Sequence, residues 1–365
     1  MLSPAVPTRT LPDIGKWHRT AQLLRHRITH GDYTLRRLPT ESELAGELGV
    51  SRSTARRAIN QLMDDGVIER RRHGKLIIRR PQPDDRKPSL ALLSPAFSSI
   101  EFEKWQTSLV QEAHAAGANV RLVSYVHWDD PNVSHTLAGF DGTFIVPSTE
   151  SMPPHIARSL SRARNVFSLG VDLSELGLPS IQLMPPLFID RLGDHLLAQG
   201  HRRIDCLNTQ PCNEVIRARL AQWVFWKELN GVEGAVYSEP VEPFTHPTPQ
   251  AYRLMQRQLQ GGRFDASALL CITDDAATGA IRALHESGRI VGQDVAVCSV
   301  EGGPFAQYRT PSRTCLVEPP PGPYLRACIA SMVAGGRWEG PMLVQPSDVQ
   351  LFVGESTSVS VTRNP

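Results

Sequence analysis

The chain has 365 residues, of which 41% are hydrophobic and 21% are charged, a balance that excludes a disordered or membrane-embedded protein. Its length predicts two or three folding units. The formal net charge is only +2, but residues 16–80 hold 15 Lys and Arg against seven Asp and Glu, whereas residues 81–365 hold 23 against 29. A basic module joined to a mildly acidic one indicates a part that binds a polyanion and a separate body.

The six cysteines lie between residues 206 and 328, and they show neither a C-x-x-C pair nor the spacing of a zinc site. Several lie inside apolar runs, where cysteine acts as a small buried hydrophobe. The N-terminal residues lack the apolar run of a signal peptide, and no stretch is long enough for a membrane span. We therefore expect a cytoplasmic, nucleoid-associated protein with reduced thiols, no metal, no cofactor and no membrane partner.

Residues 1–15 contain three prolines and no helical period, which predicts a flexible tail. Residues 16–30 place Trp17, Ala21, Leu24 and Ile28 at helical spacing, so we expect a first helix there.

A second helix is predicted by Thr40 and Glu43, whose three-residue spacing is that of a capping box. Gly49 ends this helix and permits a tight turn, and Ser51 is the N-cap of a third helix. The outward face of the third helix is polar and basic; it carries Arg52, Ser53, Thr54, Arg56, Arg57 and Asn60.

Two short strands are expected at 67–71 and 76–78, on either side of His73 and Gly74, and together they predict a hairpin. Helix, turn, helix and hairpin together are typical of a winged helix-turn-helix over residues 16–80. In such a domain the start of the third helix enters the major groove, and arginine is the usual reader of guanine. A solvated helix face is the alternative interpretation of the charges, but it explains neither the caps nor the hairpin.

The segment LPTESELAGELGVSRSTARRAINQLMDDGVIERRRHGK, residues 38–75, resembles the GntR-type winged helix along its whole length. This resemblance implies DNA contacts from the third helix and the wing, at Ser51, Arg52, Ser53, Thr54, Arg56, His73 and Gly74. We add Arg57 and Lys75, which extend the basic helix face and the cationic wing. Many relatives have arginine where this chain has Ser42.

Beyond a Pro-rich linker at 81–88, short apolar runs alternate with amphipathic stretches up to residue 356, and residues 357–365 are expected to form a tail. The runs that predict strands are 90–94, 120–126, 142–147, 166–171, 203–208, 268–273 and 295–300. The stretches that predict helices include 101–117, 186–200, 214–230, 250–261 and 274–288. This alternation indicates doubly wound parallel sheets, and about 270 residues predict two lobes.

Residues 89–356 are too short and too poor in lysine for an aminotransferase-like body, too rich in strands for an all-helical metal sensor, and too long for a chorismate-lyase-like sensor. Segments 179–207, 217–223 and 268–302 resemble the periplasmic-binding-protein-like sensor of LacI/GalR-type repressors. The expected fold is thus an α+β winged helix-turn-helix head on an α/β two-lobed periplasmic-binding-protein-like body.

The second resemblance implies a small-molecule effector, often a sugar, in a cleft between the lobes. By position, Arg217 matches the arginine that clamps the ligand. Asp274 stands where the family usually has asparagine, with Asp275 beside it, and Glu301 stands where the family usually has aspartate. Ser94 and Phe97 follow the first strand and are expected to line the near wall. A surface role for Arg217 and a helix cap role for Asp274 are the structural alternatives. Met184 and Pro185 replace a polar pair that is common in the family.

Together these features predict a homodimeric repressor that binds a near-palindromic operator and responds to a sugar-like effector. The chain has no G-x-G-x-x-G, P-loop or G-x-S-x-G motif, so we expect no enzyme activity. A constitutive DNA-binding regulator, whose body only dimerises, stays open as the alternative because of Met184 and Pro185.

Overall fold

The computed structural model describes residues 15–29, 32–33, 37–71, 75–79, 87–96, 100–243 and 245–357. Most of the expected tails (residues 1–14 and 358–365), most of the linker (81–86), and three predicted site residues, His73, Gly74 and Phe97, lie outside this part of the chain. None of the described helices is both long and apolar enough to cross a lipid bilayer.

The head begins with three helices and ends with a hairpin, as the sequence predicts. Its elements are α1 (Lys16–Thr29), α2 (Glu41–Leu48), α3 (Arg52–Asp64), β1 (Ile68–Arg70) and β2 (Leu76–Ile78). The two strands pair antiparallel, with Arg70 opposite Leu76. Leu24, Leu44, Ile59 and Ile68 come from four different elements and pack into one apolar core, which fixes α3 against the rest of the head.

Local capping explains where α2 and α3 begin. The Glu43 backbone N–H donates to Thr40 Oγ1 at 3.3 Å, and the Thr40 backbone N–H donates to Glu43 Oε2 at 2.8 Å, so the predicted capping box is confirmed. Gly49 follows α2 with a φ of 60°, a conformation that glycine adopts without strain. Ser51 Oγ then accepts from the Thr54 backbone N–H at 3.2 Å and starts α3.

In the body, strands and helices alternate as the sequence predicts, and all seven predicted strands are present. The first half comprises β3 (Ser89–Pro95), α4 (Ile100–Ala115), β4 (Asn119–Tyr125), α5 (Pro131–Gly139), β5 (Gly142–Ile145), α6 (Pro154–Arg162), β6 (Val166–Leu169) and β7 (Ser180–Ile181). The second half comprises α7 (Ile189–Ala198), β8 (Ile204–Asn208), α8 (Glu214–Leu229), β9 (Val236–Ser238), α9 (Thr248–Gln260), β10 (Ala268–Cys271), α10 (Asp274–Glu286), β11 (Ala296–Ser299), β12 (Thr314–Val317), α11 (Gly322–Val333), β13 (Leu343–Val344) and β14 (Gln350–Phe352).

These strands form two six-stranded sheets, one in each lobe. The first lobe has the order β4-β3-β5-β6-β7-β13 with every pair parallel, and the second has the order β9-β8-β10-β11-β12-β14 with only β12 and β14 antiparallel. Strand order reverses at β3/β5 and at β8/β10. In open α/β sheets these switch points mark where a ligand binds, beyond the carboxyl ends of the strands.

The chain passes between the lobes three times. It leaves the first lobe after β7, returns after β12 to add α11 and β13, and crosses again to add β14 to the second sheet. Leu325 and Ile329 of α11 are fully buried in the core of the first lobe. Gln345 Nε2 donates to Gln182 Oε1 at 2.6 Å, so two of the three crossing segments are hydrogen-bonded to each other.

Helix α10 carries two of the predicted effector residues at its start, and its position is set by close packing on α9. A Cβ atom at Gly279 would lie 2.5 Å from the Thr248 carbonyl oxygen and 2.6 Å from the Tyr252 backbone nitrogen. Only a residue without a side chain allows this approach, which brings Thr248 Oγ1 within 3.1 Å of the Asp275 carbonyl oxygen.

Candidate nucleic-acid interface and effector cleft

Helix α3 separates its apolar and basic residues onto opposite faces. Ala55, Ala58, Ile59 and Leu62 are buried in the head core. The opposite face is exposed and carries Arg52, Ser53, Arg56, Arg57 and Asn60. A helix with an exposed basic N-terminal half has the geometry to enter a major groove and reach base edges.

The hydroxyl groups at the start of α3 form a local cluster. Ser51 Oγ lies 2.9 Å from Ser53 Oγ and 2.8 Å from Thr54 Oγ1, while it also caps the helix. Helix N-termini of this kind favour phosphate oxygens, because their backbone N–H groups point outward. The structure therefore brings Ser51, Ser53 and Thr54 together at the end of α3 where a DNA backbone contact is expected.

A single carboxylate joins the basic residues of α3 to the wing. Glu41 Oε2 accepts from Arg56 Nε at 3.0 Å and lies 3.9 Å from Arg52 Nε, and Glu41 Oε1 accepts from Arg70 Nη2 at 3.1 Å. Burial alone would raise the pKa of Glu41, but the hydrogen bonds from Arg56 and Arg70 hold that pKa below its usual range. A concavity of about 490 Å³ opens here, and its lining includes Ser42 and Lys75.

Arg57 lies on the other flank of α3. It lines a smaller concavity, of about 260 Å³, with Trp17 of α1 and Asn60 of α3. Among the predicted DNA-contacting residues, Arg52, Arg56 and Lys75 therefore share one concave surface, and Arg57 stands apart from them.

In the body, the carboxyl ends of the two sheets face each other. Lys104, near the start of α4, forms an ion pair with Glu318, which follows β12 in the second lobe. Ser94 is buried near the end of β3, Asp274 and Asp275 follow β10, and Glu301 follows β11. Each of these predicted effector residues thus lies at the end of a strand, on the side that faces the other lobe.

The structure places Arg217 on the exposed face of α8, where its side chain contacts the loop that follows β8. Its Nη1 donates to the Cys212 carbonyl oxygen at 2.7 Å, and its side chain is exposed on α8. The arginine that meets Glu301 is Arg219, two residues further on, which forms an ion pair with that carboxylate and donates to the Ile272 carbonyl oxygen at 3.3 Å. The physical reason is helical phase: Arg219 shares the buried face of α8 with Ile216 and Trp223, and Arg217 does not.

Asp274 is engaged by a second buried arginine. Arg313 donates to the Asp274 carboxylate, to the Asp274 carbonyl oxygen at 2.9 Å and to Thr278 Oγ1 at 3.1 Å. Burial raises the pKa of Asp274, against the lowering effect of the Arg313 and Arg309 guanidinium groups. The N-cap of α10 is Thr273, whose hydroxyl accepts from the Ala276 backbone N–H at 3.3 Å, so Asp274 is the first helical residue rather than the cap.

Asp275 has the more open carboxylate of the two. Its Oδ2 lies 3.4 Å from Gln210 Nε2, and its Oδ1 lies 3.4 Å from Thr248 Oγ1 and 3.8 Å from His246 Nε2. Gln210 follows β8, which is one of the two strands at the switch point of the second sheet.

The crossing segment after β7 is apolar, as its sequence indicates. Met184 is buried in the core of the second lobe, and Pro185 precedes a short 3-10 helix, Pro186–Phe188. This segment offers the cleft no polar side chain at positions 184 and 185.

Sequence reasoning missed four residues of these two sites: Glu41, Arg70, Arg219 and Arg313. One of them carried a usable signal, because Ile216, Arg219, Trp223 and Trp226 follow the buried period of α8. The others depend on contacts between elements that are far apart in the chain, for which the sequence holds no local pattern.

Comparison with known protein families identifies both parts of the chain. The model for bacterial regulatory proteins of the gntR family matches residues 17–75, and the model for the periplasmic binding protein-like domain matches residues 193–342. The first match covers the head from α1 to the wing, and the second covers α7 to the segment before β13.

Solved structures share the fold of the body at low sequence identity. A LacI family transcriptional regulator from Arthrobacter sp. FB24, in complex with lactose, is 18% identical with a TM-score of 0.61, over 74% of this chain and 100% of that chain. The lac repressor dimer bound to operator and the anti-inducer ONPF is 19% identical with a TM-score of 0.62, over 76% and 96%. The transcription regulator CcpA of Lactococcus lactis is 20% identical with a TM-score of 0.61, over 75% and 100%.

The winged helix and the two parallel sheets thus each have a counterpart among known proteins, and the expected fold is confirmed. The chain is a transcription regulator whose head matches the gntR family of bacterial regulatory proteins and whose body is a periplasmic binding protein-like domain, with a fold similar to that of LacI family regulators.

Proposed function

We propose that this regulator is a repressor that binds a near-palindromic operator as a homodimer, and that a small molecule in the cleft of the body controls its affinity for DNA. The observation that carries the DNA-binding part is the exposed basic face of α3, presented on a capped helix-turn-helix. Arg52 and Arg56 are the proposed base-reading residues, and Ser51, Ser53, Thr54, Arg57 and Lys75 are proposed to contact the backbone.

The dimer follows from the symmetry of the proposed target. A two-fold operator presents two half-sites, about 10 base pairs apart or a multiple of this, and each head reads one of them. The similar lac repressor was solved as a dimer on its operator, which supports the same arrangement for this chain.

The chemistry of the cleft favours an effector that donates hydrogen bonds. Glu301, Asp274 and Asp275 present carboxylates at the strand ends, while the arginines behind the first two, Arg219 and Arg313, are buried. Carboxylates accept from hydroxyl or amino groups and repel anions. We therefore propose a hydroxyl-rich effector such as a sugar, and we replace Arg217 with Arg219 as the arginine that shapes the site.

The test is a titration of the full-length chain against duplex DNA from its own promoter, with and without a panel of sugars and other neutral metabolites. We expect tight binding to one promoter segment, and at least one compound that changes the affinity by about 5-fold to 150-fold, the usual range of allosteric coupling. A promoter reporter shows the direction of regulation, because deletion of a repressor raises expression of the reporter.

A second candidate is a constitutive regulator whose body only holds two heads together. The apolar crossing segment at Met184 and Pro185 favours it, because that segment provides no polar group for a ligand. Operator affinity that stays the same with every compound in the panel would support this candidate over the effector-controlled one.

A further inference from the structure

Glu41 is the one acidic side chain that the described part of the head places among the arginines proposed to meet DNA. It lies in the first turn of α2, and its two oxygens face Arg52 and Arg56 of α3 and Arg70 of β1. Three separate elements of the winged helix therefore meet at one carboxylate.

The exposure of these side chains shows which partner is covered. The Glu41 side chain is 14% exposed, whereas those of Arg52, Arg56 and Arg70 are 67%, 58% and 42% exposed. The carboxylate lies beneath the arginines and not in front of them. It contacts Arg56 through Nε, so both terminal Nη groups of Arg56 remain available for a two-pronged contact with a base.

A carboxylate at a DNA interface has two opposite effects. It repels phosphates, so it weakens binding to any duplex. It also holds long, flexible arginine side chains in one geometry, which reduces the conformational entropy that binding would otherwise remove. The first effect is independent of base sequence. The second acts only where the arginines must reach particular base edges.

We infer that Glu41 is a positioning residue for sequence recognition: it sets the poses of Arg56 and Arg70 before DNA binds, and it thereby raises the preference for the operator over other DNA while lowering affinity for DNA in general. This inference rests on the proposed DNA-binding function of the head. In this inference Glu41 acts through the arginines and does not itself contact DNA.

The test measures the affinities of the full-length chain for its promoter operator and for a scrambled duplex of equal length. In Glu41→Gln, affinity for the scrambled duplex rises or stays equal, because one negative charge is gone. The ratio of operator to scrambled affinity falls about 10-fold, within the range that one well-placed arginine contributes to base discrimination. Glu47→Gln is the matched control; Glu47 also lies in α2, but its ion-pair partner is Arg27 of α1, at 3.3 Å.

A double-mutant cycle separates positioning from a general structural role. If Glu41 acts through Arg56, the Glu41→Gln substitution has little further effect on the ratio once Arg56→Ala is present. A ratio that is unchanged in Glu41→Gln, or two effects that simply add, would overturn the inference. So would a variant that is unfolded and loses both duplexes together. A wild-type chain that shows no preference for any promoter segment would overturn the proposed function itself.

Discussion

The head and the body use the same pair of chemical groups in opposite arrangements. In the head, one nearly buried carboxylate, Glu41, holds arginines that are largely exposed. In the body, the arginines are buried: Arg219 is 6% and Arg313 is 3% exposed, whereas their partners Glu301 and Asp274 are 35% and 25% exposed. Each site therefore presents one sign of charge to its surroundings and covers the other.

This difference predicts that the exposed member of each ion pair is the one that faces the ligand. The head presents guanidinium groups, which suit phosphates and guanine edges. The cleft presents carboxylates, which suit hydroxyl groups. The difference also predicts where a substitution damages the fold and where it damages binding.

The largest expected effect is on stability, and it is in the body. Arg313→Met leaves the Asp274 carboxylate without its main partner and removes the hydrogen bond to Thr278, so we expect the free energy of unfolding to fall by about 3 kcal/mol. Urea unfolding of wild type and Arg313→Met measures this fall in the free energy of unfolding. Arg309→Met is the control, because Arg309 lies 3.7 Å from Asp274 and is about half exposed, and it should cost no more than about 1 kcal/mol. Equal effects of the two variants would contradict the contrast between buried and exposed arginines.

The next effect is on DNA binding, and it is in the head. Arg52→Ala should weaken operator binding by about 1–3 kcal/mol and relax the preference for one base, with little change in the free energy of unfolding. Arg158→Ala, an exposed arginine on α6 of the first lobe, is the charge-matched control. The assignment of Arg52 fails if operator affinity and base preference both stay at the wild-type values.

A smaller effect is expected in the cleft. Glu301→Gln keeps an oxygen that can accept from Arg219, but it removes the charge presented to the effector. A hydrogen bond contributes about 1.5–3 kcal/mol when one partner is charged and about 0.5–1.5 kcal/mol when both are neutral, so about 1 kcal/mol is lost and the effective concentration of an active compound should rise by about 5-fold. Arg217→Ala should leave that concentration unchanged, because Arg217 faces the Cys212 carbonyl oxygen. A rise in that concentration for Arg217→Ala, with no rise for Glu301→Gln, would instead assign effector binding to Arg217.

The smallest expected effect is on the pH dependence of stability, and its sign differs between the two regions. The pKa of Glu41 is lowered in the folded head. Its contribution to the free energy of unfolding is therefore present above about pH 4.5 and is lost as the pH falls through the lowered value. The pKa of Asp274 is raised in the folded body. Its contribution to the free energy of unfolding is therefore present below about pH 3.8 and is lost as the pH rises through the raised value.

Urea unfolding of wild type, Glu41→Gln and Asp274→Asn, from about pH 3.5 to about pH 6.5, compares the two carboxylates. The difference between wild type and Glu41→Gln should shrink toward acid, and the difference between wild type and Asp274→Asn should shrink toward neutral pH. Two differences that change in the same direction would contradict the comparison.

The head was predictable almost residue by residue because its signals are local. The Thr40–Glu43 capping box, the Gly49 turn and the Ser51 cap each lie within a few residues, and each fixes a helix end. Seven strands of the body were predictable because each overlaps an apolar run of the sequence. The strands β7, β9, β12, β13 and β14 were not predicted, because they lie outside those runs and their pairing is decided by distant segments.

The sites were predictable only in part for the same reason. Asp274, Asp275 and Glu301 follow strands, and the position of a strand end is local information. The choice between Arg217 and Arg219 depended on which face of α8 is buried, and the roles of Glu41 and Arg313 depended on elements that meet only in the folded chain. Whether each predicted residue contacts DNA or an effector stays a prediction.

The three crossings between the lobes determine the order in which the head and the two lobes can be completed during synthesis. The chain leaves the ribosome from its N-terminus, so the head can fold while the body is still being made. The first lobe cannot be finished in that order, since α11 and β13 emerge only after β8 to β12 of the second lobe have been synthesised. The half of the body that begins first is therefore completed late, and until then its apolar core lacks Leu325 and Ile329. A nascent chain would therefore carry a folded head before its body is complete.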